Sequence, residues 1–424
     1  MNKMTIYRAV LLLVREAMSG EPADFKEYNQ NSRFWEKVFI ELQNQTVLGI
    51  TADTALLHNE IPENIKKEWV NRKKQCVADY CYMAVKQREV CDILQEAGIP
   101  VAVMKGMAAA IYYPVPETRT VGDIDLIVMP RDYYMAIELL KDNGYKVREG
   151  HNSYHTRLTK GGIVIELHRS PGGITDKING KNVRKYILSG LGHIEEKQVG
   201  PFRFPILPVQ QNGMELIWHV RQHLYNGLGL RQILDWMMYV DKNLDDEQYQ
   251  EYRKDLEECG LNDLAVHVTR MCQKYLGLQK DTFTWCRYAD EKVCDDLMMF
   301  IMDQGNFGHK KNNDDKMAKV LSGYPTIFML FEKIQKTGEK EWEPVQKYPI
   351  LKSFAWIYEV RKIVESYILK RRNLLKTLRN LRTARLRKRM FKKLYKVTST
   401  KAEIKNRVLR KQAQVHHVRK KCAE

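Results

Sequence analysis

Three acidic residues carry most of the chemical information in this chain. Asp123 and Asp125 stand two apart in Gly122-Asp123-Ile124-Asp125-Leu126-Ile127-Val128, and Glu166 interrupts the apolar run Ile163-Val164-Ile165-Glu166-Leu167-His168. Side chains alternate along an extended strand, so the two aspartates share one side while Ile124, Leu126 and Val128 share the other. Two carboxylates held close together repel, and each raises the other's pKa unless a cation sits with them. A hard divalent ion resolves that conflict, and oxygen ligands of this kind suit Mg²⁺ or Mn²⁺. A DxD pair alone usually marks solvated acids at a strand start. Glu166 strengthens the reading, because an acid among apolar neighbours is costly to bury unless it is paired or metal-bound. Its plain alternative is a solvent-facing acid, or one paired with Arg157 or Arg169.

The elements that must position these acids can be read from periodicity and breakers. Residues 1–95 are patterned as helices, the second long stretch running over 64–97 and stopping at Gly98-Ile99-Pro100. Val101–Met104 is predicted to be a buried strand entering a turn at Lys105-Gly106, with a helix over 107–113 and a loop at Pro114 and Pro116. A strand over 124–129, a helix over 132–143 capped by Gly144, and extended chain at Tyr145-Lys146-Val147 follow. Strands over 155–159 and 163–168 flank Lys160-Gly161-Gly162, a hairpin pattern. The stretch 99–170 therefore reads as a small mixed sheet with helices against it. Helical patterning returns over 208–300, most clearly at 214–225 and 230–240. A polar loop over 303–320 precedes helical residues 324–368.

In this order the pieces resemble the uncharacterised bacterial nucleotidyltransferase family of the DNA polymerase β-like superfamily. The matching segments are Val103-Met104-Lys105-Gly106, Tyr113-Pro114, Arg119, Asp123-Ile124-Asp125-Leu126, Asn143-Gly144-Tyr145 and Glu166-Leu167-His168. The likeness extends to Leu216-Ile217-Trp218-His219 with His223, and to Leu230-Arg231-Gln232-Ile233-Leu234-Asp235. It implies an α+β fold, a polymerase β-like mixed sheet with flanking helices. It also implies that Asp123, Asp125 and Glu166 hold two Mg²⁺ (or Mn²⁺) ions, Glu166 also helping to deprotonate an acceptor hydroxyl. An NTP such as ATP would then give its nucleoside monophosphate to an unidentified acceptor, with pyrophosphate leaving. The superfamily usually places Gly-Ser or Gly-Gly before its helix, whereas this chain has Lys105-Gly106-Met107-Ala108. Lys105, Gly106 and Arg119 are accordingly the expected nucleotide-binding residues, each lysine or arginine having an ordinary structural alternative. His168, His223, Arg231 and Asp235 are candidates for the acceptor side. For His219 and His223, four apart, packing is the plainer reading, and for Arg231 and Asp235 it is a helix-surface ion pair.

Composition sets the frame. The net charge of +18 is local: residues 370–424 carry 21 Lys and Arg against 2 acids, and the preceding 369 residues carry 49 against 50. Polyanion binding therefore belongs to the tail. There Leu374, Leu378, Leu381, Leu386, Met390, Leu394 and Val397 recur at mostly helical spacing between basic residues. That pattern fits a basic amphipathic helix on an anionic membrane surface, on nucleic acid, or packed on the body. No run is apolar enough to span a bilayer, and the eight cysteines lack disulfide or zinc spacing. A cytoplasmic protein is expected, peripheral on a membrane if the tail binds lipid. The expected divisions are a helical region 1–95, a nucleotidyltransferase core 96–200, a helical domain 201–369 and a basic tail 370–424. Two other functions share these features, a DxD metal-dependent glycosyltransferase and a non-catalytic polyanion-binding protein on the same fold. The single short strand-helix unit before the DxD and the acid on the later hairpin favour nucleotidyl transfer.

Overall fold

The computed structural model of the chain describes residues 2–28, 31–148, 154–172, 179–279, 283–306, 310, 327–369 and 385–395. It forms two compact units, Met1–Lys310 and Lys311–Glu424. In the first unit helices α1 (Lys3–Ser19), α2 (Ser32–Asn44), α3 (Ala52–Leu57) and α4 (Glu63–Glu96) precede the sheet. Then come β1 (Val101–Met104), α5 (Gly106–Ala110), β2 (Ile124–Val128), α6 (Tyr133–Asp142), β3 (Lys146–Val147), β4 (His155–Lys160) and β5 (Ile163–His168). After α7 (Asn179–Ser189) the hairpin β6 (Glu195–Val199) and β7 (Phe202–Ile206) leads to α8 (Val209–Asn226) and α9 (Leu230–Asn243). Helices α10 (Asp246–Glu258), α11 (Asn262–Tyr275) and α12 (Glu291–Gln304) follow.

The α+β class expected from the sequence is what the chain adopts. Seven strands form one mixed sheet in the order β3-β4-β5-β2-β1-β7-β6. The pairs β2–β5 and β1–β7 run parallel and the others antiparallel. The β4–β5 turn needs two residues at positive φ, and Gly161 (φ 57°) and Gly162 (φ 83°) supply them without steric cost. On one side of the sheet Val101, Val103, Ile124, Leu126, Val128, Leu158, Ile165 and Leu167 pack against Tyr80, Val90 and Leu94 of α4 and Ala136 and Leu140 of α6. This apolar layer is why the strands alternate as they do. Whatever is polar on them must emerge on the other side.

The sheet runs two strands beyond the 99–170 read from sequence. Pro205 inside Phe202-Arg203-Phe204-Pro205-Ile206 cannot donate a ladder hydrogen bond, and β6 is polar, so both lack the usual strand signature. The helix expected over 107–113 is shorter, Gly106–Ala110.

Helices α8 and α9 meet closely at Gly213, where an added Cβ would lie 2.1 Å from the buried Tyr239 ring. In the second unit are α13 (Ile327–Glu341), α14 (Glu343–Lys347) and α15 (Ala355–Leu369). Of the basic tail, 385–394 is helical, with Met390, Phe391 and Leu394 buried and Leu386 exposed. Leu374, Leu378, Leu381 and Val397 lie outside the described residues. The seven described cysteines are all free thiols.

Replacing Gly213 with Ala is expected to destabilise the protein by about 1–3 kcal/mol through overpacking against Tyr239. This should hold although alanine favours a helix interior by about 1 kcal/mol. Chemical denaturation of wild type and G213A measures the difference, and equal midpoints would contradict the packing described.

Candidate active site

Strand register assembles the site. Asp125 of β2 pairs with Glu166 of the parallel strand β5, and Glu166 pairs in turn with Arg157 of β4. In the neighbouring row Ile127 pairs with His168, and His168 with His155. Residues paired across strands point the same way. Asp125, Glu166, Arg157, His155 and His168 therefore share the side opposite the apolar layer. Asp123 directly precedes β2, two residues from Asp125 and exposed, while Asp125 and Glu166 are buried.

Cations already stand on two of the acids. Lys105 Nζ and His168 Nε2 each lie 2.9 Å from Asp125 Oδ1. Burial pushes the Asp125 carboxyl up, but Lys105 and His168 outweigh it and hold the group well below the carboxylate range. Glu166 accepts from Arg157 Nε at 2.7 Å. Burial and Asp125 oppose its ionisation, yet His168, His155 and Arg157 bring its pKa down to about 2. Asp123 is different. Desolvation, Asp125 and Glu166 raise its pKa, and among the described residues no cation forms an ion pair with it. That carboxylate is the place in the cluster where an added cation relieves the most repulsion.

Lys105 sits where β1 turns into α5, with φ 50° and ψ −126°. Glycine takes that conformation freely, whereas a residue with a Cβ pays on the order of 1–3 kcal/mol. The strained backbone aims the ammonium at Asp125. Gly106 beside it faces open space, since an added Cβ would approach nothing closer than the Asp123 carbonyl oxygen at 3.9 Å.

Helix α8 closes the site from the other side, fixed by Asn212, whose Nδ2 donates to the Ala108 carbonyl at 3.1 Å, and by Trp218, whose Nε1 donates to the Pro171 carbonyl at 2.7 Å. Its residues Glu215, His219 and His223 are spaced by four, so they line one face, and all three are buried. Glu215 is fully buried, and neither carboxylate oxygen has a hydrogen-bond partner among the described residues. Burial raises its pKa to about 7 despite the pull of Lys105. Burial and neighbouring positive charge keep both histidines neutral, His219 well below its ordinary value and His223 at about 4.

The remaining sequence candidates separate. Arg119 lies buried in a two-pronged pair with Asp235, Nε and Nη2 each donating at 2.7 Å, and Tyr113 donates to the same carboxylate at 2.8 Å. Arg119 is thus held by Asp235, the structural alternative to a nucleotide contact. Arg231 and Asp235 do not form a surface pair. Arg231 donates to the Thr120 carbonyl at 3.1 Å, and burial beside Arg119 lowers its pKa although Asp235 and Asp123 pull the other way. The sequence reading passed over Glu215 and His155. An acid within Met214–Trp218, on the face of His219 and His223, was the available signal for Glu215. His155 becomes visible only through the β4–β5 register.

Residues 31–277 match the uncharacterised nucleotidyltransferase family, more than half of the chain. The chain belongs to that family. Among solved structures it is similar to the antibiotic-resistance factor ANT(2'')-Ia, at 10% identity over 42% of this chain and 92% of that one, TM-score 0.31. It is also similar to an antigenic nucleotidyltransferase-like protein from Paracoccidioides brasiliensis, at 17% identity over 47% of this chain and 92% of that one, TM-score 0.29. No curated protein matches. The family match spans every residue of the site, from Lys105 through Asp123, Asp125 and Glu166 to Asp235.

Glu215 gives a pH-dependent test. Its folded pKa of about 7 stands above its ordinary 4.5, so ionisation costs stability. The cost is absent below the ordinary value, grows as pH rises towards 7 and is complete above it, on the order of 3 kcal/mol. Glu215→Gln should therefore melt above wild type at pH 8, with the gap closing by pH 5. A gap independent of pH would refute the assignment.

Proposed function

We propose that this chain transfers a nucleoside monophosphate from an NTP to an acceptor hydroxyl, with release of pyrophosphate. The observation that carries the proposal is the Asp125–Glu166 register, which sets two buried carboxylates side by side next to an unpaired third, Asp123. Family membership supports the same class of chemistry.

The residues fit divalent cations. Three acids converge on one side of the sheet, and one of them has a raised pKa and, among the described residues, no ion-pair partner. Asp123 and Asp125 would hold the ions, with Glu166 as the third carboxylate. When bound, such ions act as Lewis acids on the α-phosphoryl group and stabilise both attacking and leaving oxygens. Glu166, held near 2 by its basic neighbours, is a persistent anion and a weak proton acceptor near neutrality. Its role is to bind and orient rather than to take the acceptor's proton. The bond that forms joins the acceptor oxygen to the α-phosphorus, the bond that breaks is the one from that phosphorus to the bridging oxygen of pyrophosphate, and the hydroxyl proton passes to solvent water.

Among the arginines, Arg231 suits the triphosphate better than Arg119. Arg119 spends its donors on Asp235 and on the Thr120 carbonyl, whereas Arg231 makes one hydrogen bond among the described residues and stands within electrostatic reach of Asp123. Lys105 neutralises Asp125 and is placed to meet phosphate oxygens through the open space at Gly106. His168 positions Asp125 through their shared hydrogen bond, and His223 stands buried on α8 as a neutral group within electrostatic reach of Lys105.

Incubation with each α-labelled NTP, Mg²⁺ and cell extract should move label onto an acceptor. The double variant Asp123→Asn/Asp125→Asn should lose at least ~100-fold of that transfer. Undiminished transfer by the folded variant overturns the mechanism. Release of a free nucleoside diphosphate from a sugar nucleotide, with no labelled acceptor, would point to glycosyl transfer instead. Arg231→Ala should raise KM for the NTP by about 10- to 100-fold, the worth of a charged hydrogen bond, with little change in thermal stability. Arg119→Ala should instead cost about 3–5 kcal/mol of folding stability by stranding buried Asp235, as read by denaturant titration.

A further inference from the structure

His155, Glu166 and His168 form a group of potential metal ligands that no all-carboxylate site requires. One ligand atom from each lies within 4.8 Å of the others. All three residues are at least nine-tenths buried. His168 Nε2 is 3.5 Å from Glu166 Oε2, and His155 Nε2 is 3.7 Å from Glu166 Oε1. These separations are too long for good hydrogen bonds. They are close to the spacing of neighbouring ligands on one ion. Two atoms each about 2.1 Å from a metal stand about 3.0 Å apart at a right angle and about 3.4 Å apart in a tetrahedron. Asp125 Oδ1 accepts a hydrogen bond from His168 Nε2 at 2.9 Å, and an ion bound between them would take the place of that proton.

The surroundings match a ligand set. Both Nε2 atoms turn towards Glu166. The rings are in contact, centroids 4.9 Å apart, as cross-strand neighbours of the β4–β5 pair. Arg157 holds Glu166 through Oε1, the outer support that fixes a coordinating carboxylate.

We propose that His155, Glu166 and His168, with Asp125 beside them, bind a borderline transition ion of the Zn²⁺ or Co²⁺ class in preference to Mg²⁺. Imidazole nitrogen favours such ions, whereas Mg²⁺ prefers oxygen and keeps much of its water. As an account of what the ion does, this rests on the nucleotidyl-transfer reading; as a ligand set it stands on the distances alone.

The test needs no nucleotide. The full-length protein, freed of metal, is titrated with Zn²⁺, Co²⁺ or Mg²⁺ by calorimetry, and the Zn²⁺-loaded protein is measured by X-ray absorption. One Zn²⁺ bound at least 10-fold more tightly than Mg²⁺, with two imidazoles in its shell, is the expected result. His155→Asn should weaken Zn²⁺ and Co²⁺ binding by about 10- to 100-fold, with Asp123→Asn changing it far less. Fewer than two imidazoles around Zn²⁺ in wild type overturns the proposal, as does unchanged Zn²⁺ binding in folded His155→Asn. Because neither readout depends on turnover, absence of label transfer would count against the proposed function and leave this site standing.

Discussion

Like charges brought together on one side of a β-sheet are the constraint around which this protein is arranged. The parallel register of β2 and β5 forces Asp125 against Glu166, and alternation adds Asp123 to the same side. Helix α8 then brings a fourth acid, Glu215, within electrostatic reach. In a buried setting such crowding is tolerable only with cations or protons to match. Lys105 answers Asp125, and Arg157 answers Glu166. Asp123 and Glu215 are left with raised pKa values. Asp123 thus carries the least compensated charge on the polar side of the sheet, and the apolar side, packed on α4 and α6, keeps the strands from shifting register.

Two guanidiniums near this cluster differ sharply in their partners through small differences in placement. Asp235 lies one helical turn after Arg231, yet it turns away to grip Arg119 from the loop before β2. That buried pair, joined by Tyr113, fixes the approach to the aspartates and ties the sheet to α9. Arg231 is left half-buried with a single carbonyl for company. An i, i+4 spacing on a helix proposes a pair, and tertiary structure here dissolves it.

Much of the architecture could be read from residue order. The acids, the strand at 124–128, the glycine hairpin and the long helix α4 all carry local signals, namely alternation, turn residues and breakers. What was hidden depends on partners distant in sequence. The β6–β7 hairpin looks poor as strand because of Pro205 and its polar first strand. His155 is one polar residue on a mixed strand until the register sets it against His168. Arg119 gave no hint of Asp235, 116 positions away. Glu215 was overlooked within an apolar helix, where its spacing from His219 and His223 was the one available sign. The readable part is thus the local part, and the electrostatics of the site belong to the part that is not.

The left-handed backbone at Lys105 carries one more implication. A tethered ammonium on Asp125 is a counter-ion that cannot diffuse away, so that carboxylate keeps a cation beside it whatever ions the surroundings hold. Any ion arriving there competes with a covalently attached rival whose local concentration is fixed by the chain. Occupancy at Asp125 then depends on how much free ion the surroundings hold.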